Sequence, residues 1–407
     1  MDARAKLSIL AESLIIGPVS TPSHLAHLPA PPAEALAASE RLNALVKEDI
    51  AAHAGWVSFA RFMEWALYAP GLGYYSAGSR KFGAAGDFVT APELSPLFGR
   101  CLARQLAELL DEGLPDVLEI GAGTGALAAE ILAELAALGR LPQRYLILEV
   151  SADLRERQRA TLAARVPDAL ARVQWLEVLP GPLEAVMIGN EVLDAIPTHL
   201  VRIEHGRVME VGVTVSDAGA YAWAARPAEG ELLAAARELD VPEGYETEIN
   251  LAARAFVGSF ARLLRRGAML FIDYGFPARE LYHPQRAQGT LMCHYRHHVH
   301  DDPLHWVGLQ DITSHVDFSA VAQAAQAAGA ALLGYASQAQ FLINCGITDL
   351  LGAVSPEDVR AYAPLAGQAQ VLLSPAEMGE LFKVIAFGRG IAGPLCGFAR
   401  GDKRHAL

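Results

Sequence analysis

Apolar residues along the chain fall into short blocks divided by polar and glycine-rich breaks, and the spacing inside each block separates strands from helices. Residues 117–120, V-L-E-I, form an apolar run of strand length interrupted by one acid. They lead directly into G-A-G-T-G at 121–125, after which alanines and leucines recur to about residue 138, so the stretch predicts strand, glycine turn and helix. The alternation continues downstream. Strands are expected at 145–149, 173–176, 185–189, 268–274, 331–335 and 382–387, with helices at 250–264, 318–328, 339–351 and 375–381. Apolar strands alternating with helical blocks are the signature of an α/β protein with a mostly parallel sheet covered on both faces.

Two regions depart from this rhythm. From residue 200 to about 225, V-R-I-E-H-G-R-V-M-E-V-G-V-T-V alternates around His205-Gly206 as a β-hairpin does, and the inserted antiparallel piece is expected to end near residue 249. Ahead of the sheet, a helix-like segment begins at Ser39. A second follows Ser58, with Phe59, Phe62, Met63 and Ala66 at helical spacing, and 70–75 is turn chemistry. The apolar patch 7–19 makes a poor signal peptide, since Asp2 and Glu12 interrupt it and no cleavage-type segment follows; it reads as a short helix, with 21–32 as a Pro- and Ala-rich linker.

Gly121, Gly123 and Gly125 allow a sharp turn and close approach of a ligand to the backbone. The helix beyond them points free N–H groups at whatever lies over the glycines, which favours an anionic or carboxylate-bearing ligand. Gly121, Gly123 and Ala126 satisfy the dinucleotide pattern G-x-G-x-x-G/A, but only weakly. The fuller pattern is Glu119-x-Gly121-x-Gly123-x-Gly125, followed by Glu149 at the end of the next strand, placed to accept hydrogen bonds from both hydroxyls of a ribose. An acid in the cradle repels a pyrophosphate but suits a ligand with a sulfonium and an ammonium. This resembles the first motif of S-adenosylmethionine-dependent methyltransferases. The other reading is a packing turn flanked by two strand-end acids.

Length and composition narrow the partners. The 407 residues are 52% hydrophobic, enough for a large core plus an insertion or second lobe, and no apolar run is long enough for stable membrane insertion. A net charge of −13, from 33 basic and 46 acidic residues, argues against nucleic acid and admits a basic protein or peptide. Cys101, Cys293, Cys345 and Cys396 stand singly, so neither a zinc ribbon nor a disulfide framework is expected, and a reducing compartment follows.

Candidate chemistry gathers in three further places. The loop G-D-F-V-T-A-P-E brings Asp87, Thr90, Pro92 and Glu93 between two helical patterns, although Thr90 or Ser95 equally reads as a helix cap. Asn190 and Glu191 end the fourth strand, facing the crevice where ligands bind in open α/β sheets; helix capping is the alternative. Residues 293–315 hold one cysteine and six histidines without the spacing of a four-ligand set, so no metal is expected. They read as a long loop over the cofactor cleft with Asp311, Thr313, His315 and Asp317 at its base, where acids and an imidazole orient a cationic substrate; His315 equally reads as satisfying a buried acid.

Six motifs then occur in order between about residues 59 and 318: F-M-x-W-A-L-Y-x-P-x-x-G-Y-Y, G-D-F-V-T-A-P-E with its L-F-G tail, E-I-G-A-G-T-G, L-E-V-S-x-x-L-R-x-x-Q, G-N-E-V-L-D-A-I-P and D-I-T-S-H-V-D-F. Together they resemble the MidA-like methyltransferase family, which includes the mitochondrial complex I assembly-factor arginine methyltransferase. The resemblance implies a Rossmann-like class I methyltransferase with a seven-stranded mostly parallel sheet whose last strand returns between the fifth and sixth, plus an inserted β-containing lobe and N-terminal helices. Its divisions would be an arm (1–37), a helical region with a cofactor-facing loop (38–110), an S-adenosyl-L-methionine-binding core (111–199), the antiparallel lobe (200–249) and the rest of the core with a long loop at 275–316 (250–407). It implies S-adenosyl-L-methionine as cofactor, held by Asp87, Thr90, Pro92, Glu93, Glu119, Gly121, Gly123, Gly125, Glu149 and Asn190. Glu191, Asn190, Asp311, His315 and Asp317 would serve catalysis on an exposed arginine of a protein such as a complex I subunit, in the cytoplasm or, for eukaryotic relatives, the mitochondrial matrix. A small-molecule methyltransferase and a cofactor-binding assembly chaperone without turnover are the competing readings.

Overall fold

The computed structural model describes residues 14–15, 25, 28–76, 90–391 and 393–407. The chain divides into two compact units, the larger built from Arg80–Asp194, Arg254–Ala278 and Val316–Leu407, and the smaller from Met1–Ser79, Ala195–Ala253 and Arg279–His315.

The larger unit is an α/β layer structure. Its strands are β1 (Asp116–Ile120), β2 (Arg144–Leu148), β3 (Val173–Leu176), β4 (Leu183–Asn190), β5 (Leu264–Phe276), β6 (Ala331–Ser337) and β7 (Phe382–Arg389). They lie in the order β6-β7-β5-β4-β1-β2-β3, and the two-residue strand Val316–Asp317 runs parallel to the end of β5. The ladders from β3 through β5 are parallel, while β7 is antiparallel to both β5 and β6. Every residue of β1 is buried, as a central parallel strand covered on both faces requires. Val117, Tyr145, Ile147, Val186, Ile188, Leu270 and Ile272 share one apolar cluster with α1 (Pro96–Asp111) and α2 (Ala126–Ala137). Elsewhere in the unit, Phe271 on β5 meets the Phe256 ring at 6.4 Å.

Two expected helices of this unit differ. The block 339–351 is two helices, Gln338–Asn344 and Ile347–Gly352, because Gly346 sits at φ +82°, where the chain leaves one axis and starts another. Residues 375–381 are a succession of turns instead of a helix. The helix here is Val359–Leu373; after it, Gly379 N–H bonds Ser374 O at 2.9 Å and Met378 N–H bonds Val371 O at 3.3 Å, folding the segment back.

The smaller unit is mainly antiparallel. Leu14–Ile15, Tyr221–Pro227, Arg207–Val215, His199–Glu204 and Glu246–Ile249 lie side by side in that order, with Val57–Ser58 also pairing to Arg207–Val215. His205 and Gly206, both at positive φ (53° and 68°), make the two-residue hairpin turn the pattern predicts. The helix expected over 7–19 lies largely outside the described residues; Leu14 and Ile15 are in a strand. The loop expected at 275–316 is also more ordered. Met292–Tyr295 pairs with both His298–His300 and Asp311–Thr313. His294 and His298 therefore sit on neighbouring strands. Arg296 and His297, at φ 46° and 62°, turn the chain between them; there is no glycine here and the arginine gives no sign of a left-handed turn, which is why the pattern hides it. Among the described residues no helix is long and apolar enough to cross a membrane, and no group of three or more His, Cys, Asp and Glu is arranged to hold a metal ion.

Candidate active site

The site candidates of the larger unit cluster at the carboxyl ends of β1, β2 and β4. The glycine turn leaves β1 with Gly121, Gly123 and Gly125 at φ 68°, 52° and 85°, each in the left-handed region that costs an L side chain roughly 1–2 kcal/mol. The last two glycines play different parts. A Cβ on Gly125 would stand 3.1 Å from the Gln158 Cα of α3 (Ala152–Arg165), so this glycine lets the turn pack on a helix. Among the described residues, a Cβ on Gly123 would meet no heavy atom within 4 Å, so they leave the space over the turn open.

Gln158, fully buried, ties the cradle together. Its Nε2 donates to Gly123 O at 3.0 Å and to Glu149 Oε2 at 3.2 Å, and its Oε1 accepts from Trp175 Nε1 at 2.9 Å. The Glu149 carboxylate also accepts the Ser151 N–H at 2.8 Å. Burial raises its pKa, against the lowering by those two donors and Arg155. The apolar Val150 that follows is 76% exposed. Gln158 and Trp175 were not singled out from the sequence; only the L-R-x-x-Q motif contained one of them.

Glu119 lies beneath the turn, 2% exposed, and accepts the Tyr145 hydroxyl at 2.8 Å. Burial pushes its pKa up to about 7, against the Tyr145 hydrogen bond. Unfolded, it titrates near 4.5, so between these values the unfolded chain gives up a proton the folded one keeps, and stability falls as pH rises through that window. Glu119→Gln keeps an acceptor for Tyr145 and should remove that slope, gaining on the order of 3 kcal/mol over wild type between about pH 4.5 and 7. Urea unfolding of both proteins across this window measures it; parallel curves would show that the carboxyl is already ionised in the fold.

Thr124 of the turn donates to the Glu93 carboxylate. Pro92 and Glu93 belong to the short helix Ala91–Leu94; Thr90 precedes it and makes no side-chain cap, whereas Ser95 caps α1 by accepting Leu97 N–H at 3.3 Å. Asp87 lies outside the described residues.

At the end of β4, beside β1, Asn190 Nδ2 donates to Glu191 Oε1 at 2.9 Å, and the Asn190 Oδ1 is buried with no partner among the described residues. Glu191 adopts φ 52° and donates its N–H to Ile272 O at 2.8 Å. No helix starts here, so the capping alternative for this pair falls away: residues 191–194 form an irregular bend, and the amides of Val192, Leu193 and Asp194 bond Asp273 of β5. A Cβ on Gly121 would lie 3.4 Å from Val192 Cγ2, which puts this loop against the glycine turn.

The other predicted residues are elsewhere. Asp311 and His315 belong to the smaller unit, where both Asp311 carboxylate oxygens are 3.0 Å from the Tyr75 hydroxyl and His315 N–H donates to Thr290 Oγ1 at 3.0 Å. Asp317, in the larger unit, caps the helix Phe318–Ala327 by accepting Ala320 N–H at 3.0 Å.

A strand-turn-helix cradle with a fixed carboxylate on the next strand is shared by many nucleotide-binding folds, so comparison with known proteins decides the family. The family model described as "Putative S-adenosyl-L-methionine-dependent methyltransferase" matches residues 99–336. The chain belongs to this family of S-adenosyl-L-methionine-dependent methyltransferases. Mitochondrial protein arginine methyltransferase NDUFAF7 of Mus musculus is 30% identical over 368 residues, covering 82% of this chain and 81% of the relative. Its Danio rerio counterpart is 28% identical, with 81% and 82% covered. A Burkholderia thailandensis protein, solved bound to S-adenosyl-homocysteine, superposes with TM-score 0.91 at 55% identity over 93% of this chain and all of that one; a second crystal structure from the same organism gives 0.89 at 54%. The MidA-like resemblance of the motifs is thus upheld, and S-adenosyl-L-methionine is the cofactor of this methyltransferase.

The cradle suits that cofactor: it has open space over Gly123 and a carboxylate whose orientation two donors fix. Glu149→Ala is expected to weaken S-adenosyl-homocysteine binding by about 1–3 kcal/mol, the range for losing hydrogen bonds to a charged acceptor. Calorimetry of wild type and variant with the ligand and its 2′-deoxy analogue tests the contact, because a 2′-deoxy ligand that binds wild type unchanged would remove Glu149 from the ribose.

Proposed function

We propose that this methyltransferase transfers its methyl group to an arginine side chain exposed on another protein. The observation that carries the reading is the Asn190–Glu191 pair, an amide and a carboxylate joined at 2.9 Å against the glycine turn. A guanidinium is a poor nucleophile because its charge is delocalised; a carboxylate that pairs with two of its nitrogens leaves electron density on the third and takes up the proton released. The buried Asn190 Oδ1 supplies a further acceptor for a guanidinium N–H. S-adenosyl-L-methionine supplies a methyl on a sulfonium, an excellent leaving group, so the task of the chain is alignment. Glu191 is assigned the acceptor, and Gly121, Gly123, Gly125, Glu149 and Asn190 the cofactor, with Thr90, Pro92 and Glu93 bordering it and Glu119 supporting the turn from below. Asp311, His315 and Asp317 are secondary candidates, since both acids are engaged within their own units.

The names of the relatives support the arginine, and the net charge of −13 suits a basic partner. We also read the sheet order, with its single reversed strand next to the edge, as the class I methyltransferase arrangement with an antiparallel lobe. Incubation with methyl-labelled S-adenosyl-L-methionine and a lysate containing respiratory complex I, followed by hydrolysis of the labelled band, should yield methylarginine. Label on small molecules alone would favour a small-molecule enzyme, and cofactor binding without any label would favour a chaperone.

A further inference from the structure

Asp273 has a more demanding position than a strand-end acid needs. It is fully buried on β5, and one oxygen, Oδ2, accepts three successive backbone N–H groups: Val192 at 3.1 Å, Leu193 at 2.8 Å and Asp194 at 3.3 Å. Its other oxygen accepts the Tyr274 N–H at 2.9 Å, which fixes the carboxylate plane. Next to it, Ile272 O takes the Glu191 N–H. Two consecutive residues of β5 thus grip four consecutive backbone donors of the loop that begins with Glu191.

Successive N–H groups converging on one point form an anion-binding concavity, and here the anion is a side chain of the protein itself. The arrangement runs against stability in two ways. Burial and repulsion from Asp194, and to a smaller degree Glu191, drive the Asp273 pKa well above its ordinary value, while the Leu193 and Tyr274 N–H groups pull it down. Glu191 itself sits at φ 52°, a region that a non-glycine residue occupies only where its surroundings over-determine it. The cationic neighbour across the ladder, Lys383, directs its ammonium to the carbonyls of Glu380 and Leu381. Strain and buried like charges held in place by several bonds are features of functional sites more than of frameworks.

We infer that Asp273 is a positioning residue for methyl transfer: through the Val192, Leu193 and Asp194 amides it holds Glu191 in the conformation that presents its carboxylate to the acceptor. This rests on the role proposed for Glu191. The chemistry predicts a division of effects. Asp273→Asn preserves shape but puts an NH2 where one of the two oxygens accepts backbone N–H groups, so the loop relaxes from its strained state while Gly123 and Glu149 keep their own hydrogen bonds to Gln158.

The test compares the full-length wild type, Asp273→Asn, Glu191→Gln and the double variant. For each, thermal melting gives the folded fraction, calorimetry gives S-adenosyl-homocysteine affinity, and the initial rate of methyl incorporation from labelled S-adenosyl-L-methionine into lysate protein is taken at saturating cofactor. Asp273→Asn should transfer at least about tenfold more slowly per folded molecule with unchanged cofactor affinity, and the double variant should be no slower than Glu191→Gln alone, because residues acting as one unit are not additive. An Asp273→Asn rate at the wild-type level beside a slow Glu191→Gln overturns the inference and leaves the proposed function standing, as does a double variant in which the two losses multiply. A wild type that labels no protein overturns both, and a Glu191→Gln at the wild-type rate overturns the inference together with the role assigned to Glu191. Should Asp273→Asn not fold, Asp273→Ser, which removes the buried charge and keeps an acceptor, carries the same comparison.

Discussion

Glu191→Gln is expected to slow methyl transfer on the order of 100-fold or more while leaving S-adenosyl-homocysteine affinity within about twofold, the separation produced when one preorganised electrostatic group is removed from a site. Glutamine has almost the same shape, and its amide oxygen can still accept from Asn190, whose Nδ2 now holds Glu191 Oε1. The backbone of residue 191 is fixed independently, by Ile272 O and by the neighbouring amides on Asp273, so the substitution changes charge without moving the chain. What disappears is the anion that localises the guanidinium charge and accepts its proton. Single-turnover rates with labelled cofactor, set beside calorimetric affinities, separate the two quantities. A variant that turns over at the wild-type rate would move the acceptor-binding role to the acids elsewhere in the chain.

Gly123→Val should weaken cofactor binding at least about 100-fold, or roughly 2.7 kcal/mol. Two effects add. The residue sits at φ 52°, where a β-branched side chain is strained. Its new methyl groups would also enter space that no atom of the described residues occupies within 4 Å of the Cβ position, so the intrusion falls on the ligand instead of on the core. Gly113→Val separates the two: Gly113 has φ 85° and an equally open surrounding, but lies in the turn ahead of β1. It should lower the melting temperature and leave calorimetric affinity unchanged. Equal affinity in wild type and Gly123→Val would reduce the glycines to a packing device.

The parts of this architecture that were legible in the sequence are those where local pattern and tertiary demand coincide. A four-residue run of three apolar side chains and one acid entering G-A-G-T-G has few other solutions, and the hairpin at His205-Gly206 carries its turn chemistry in the residues themselves. Where the two diverge, the sequence is silent. Arg296 and His297 turn left-handed in a segment read as a loop, and the turns at 375–381 resemble a helix in composition. The site divides in the same way. Glycines and strand-end acids announce themselves by position, whereas Gln158 is an ordinary helical glutamine until the fold places both Gly123 O and the Glu149 carboxylate within reach of its Nε2. Asp273 lies within the expected strand 268–274, but its grip on residues some eighty positions earlier depends on the pairing of β5 with β4.

The reversed strand β7 has a consequence for biosynthesis. Among the described residues it is the last strand to be made, yet it sits between β5 and β6, and β6 has no other partner in the sheet there. While a ribosome is still translating the residues before 382, the nascent chain has a complete glycine cradle and a complete Asp273 clamp, but β5 presents one long unpaired edge and β6 has nothing to pair with. That edge can recruit a strand from another chain. Premature termination between Asp317 and the start of β7 would therefore release a polypeptide that retains the residues assigned to chemistry and is prone to aggregate, so loss of function from such truncations would be a matter of proteostasis before it was one of catalysis.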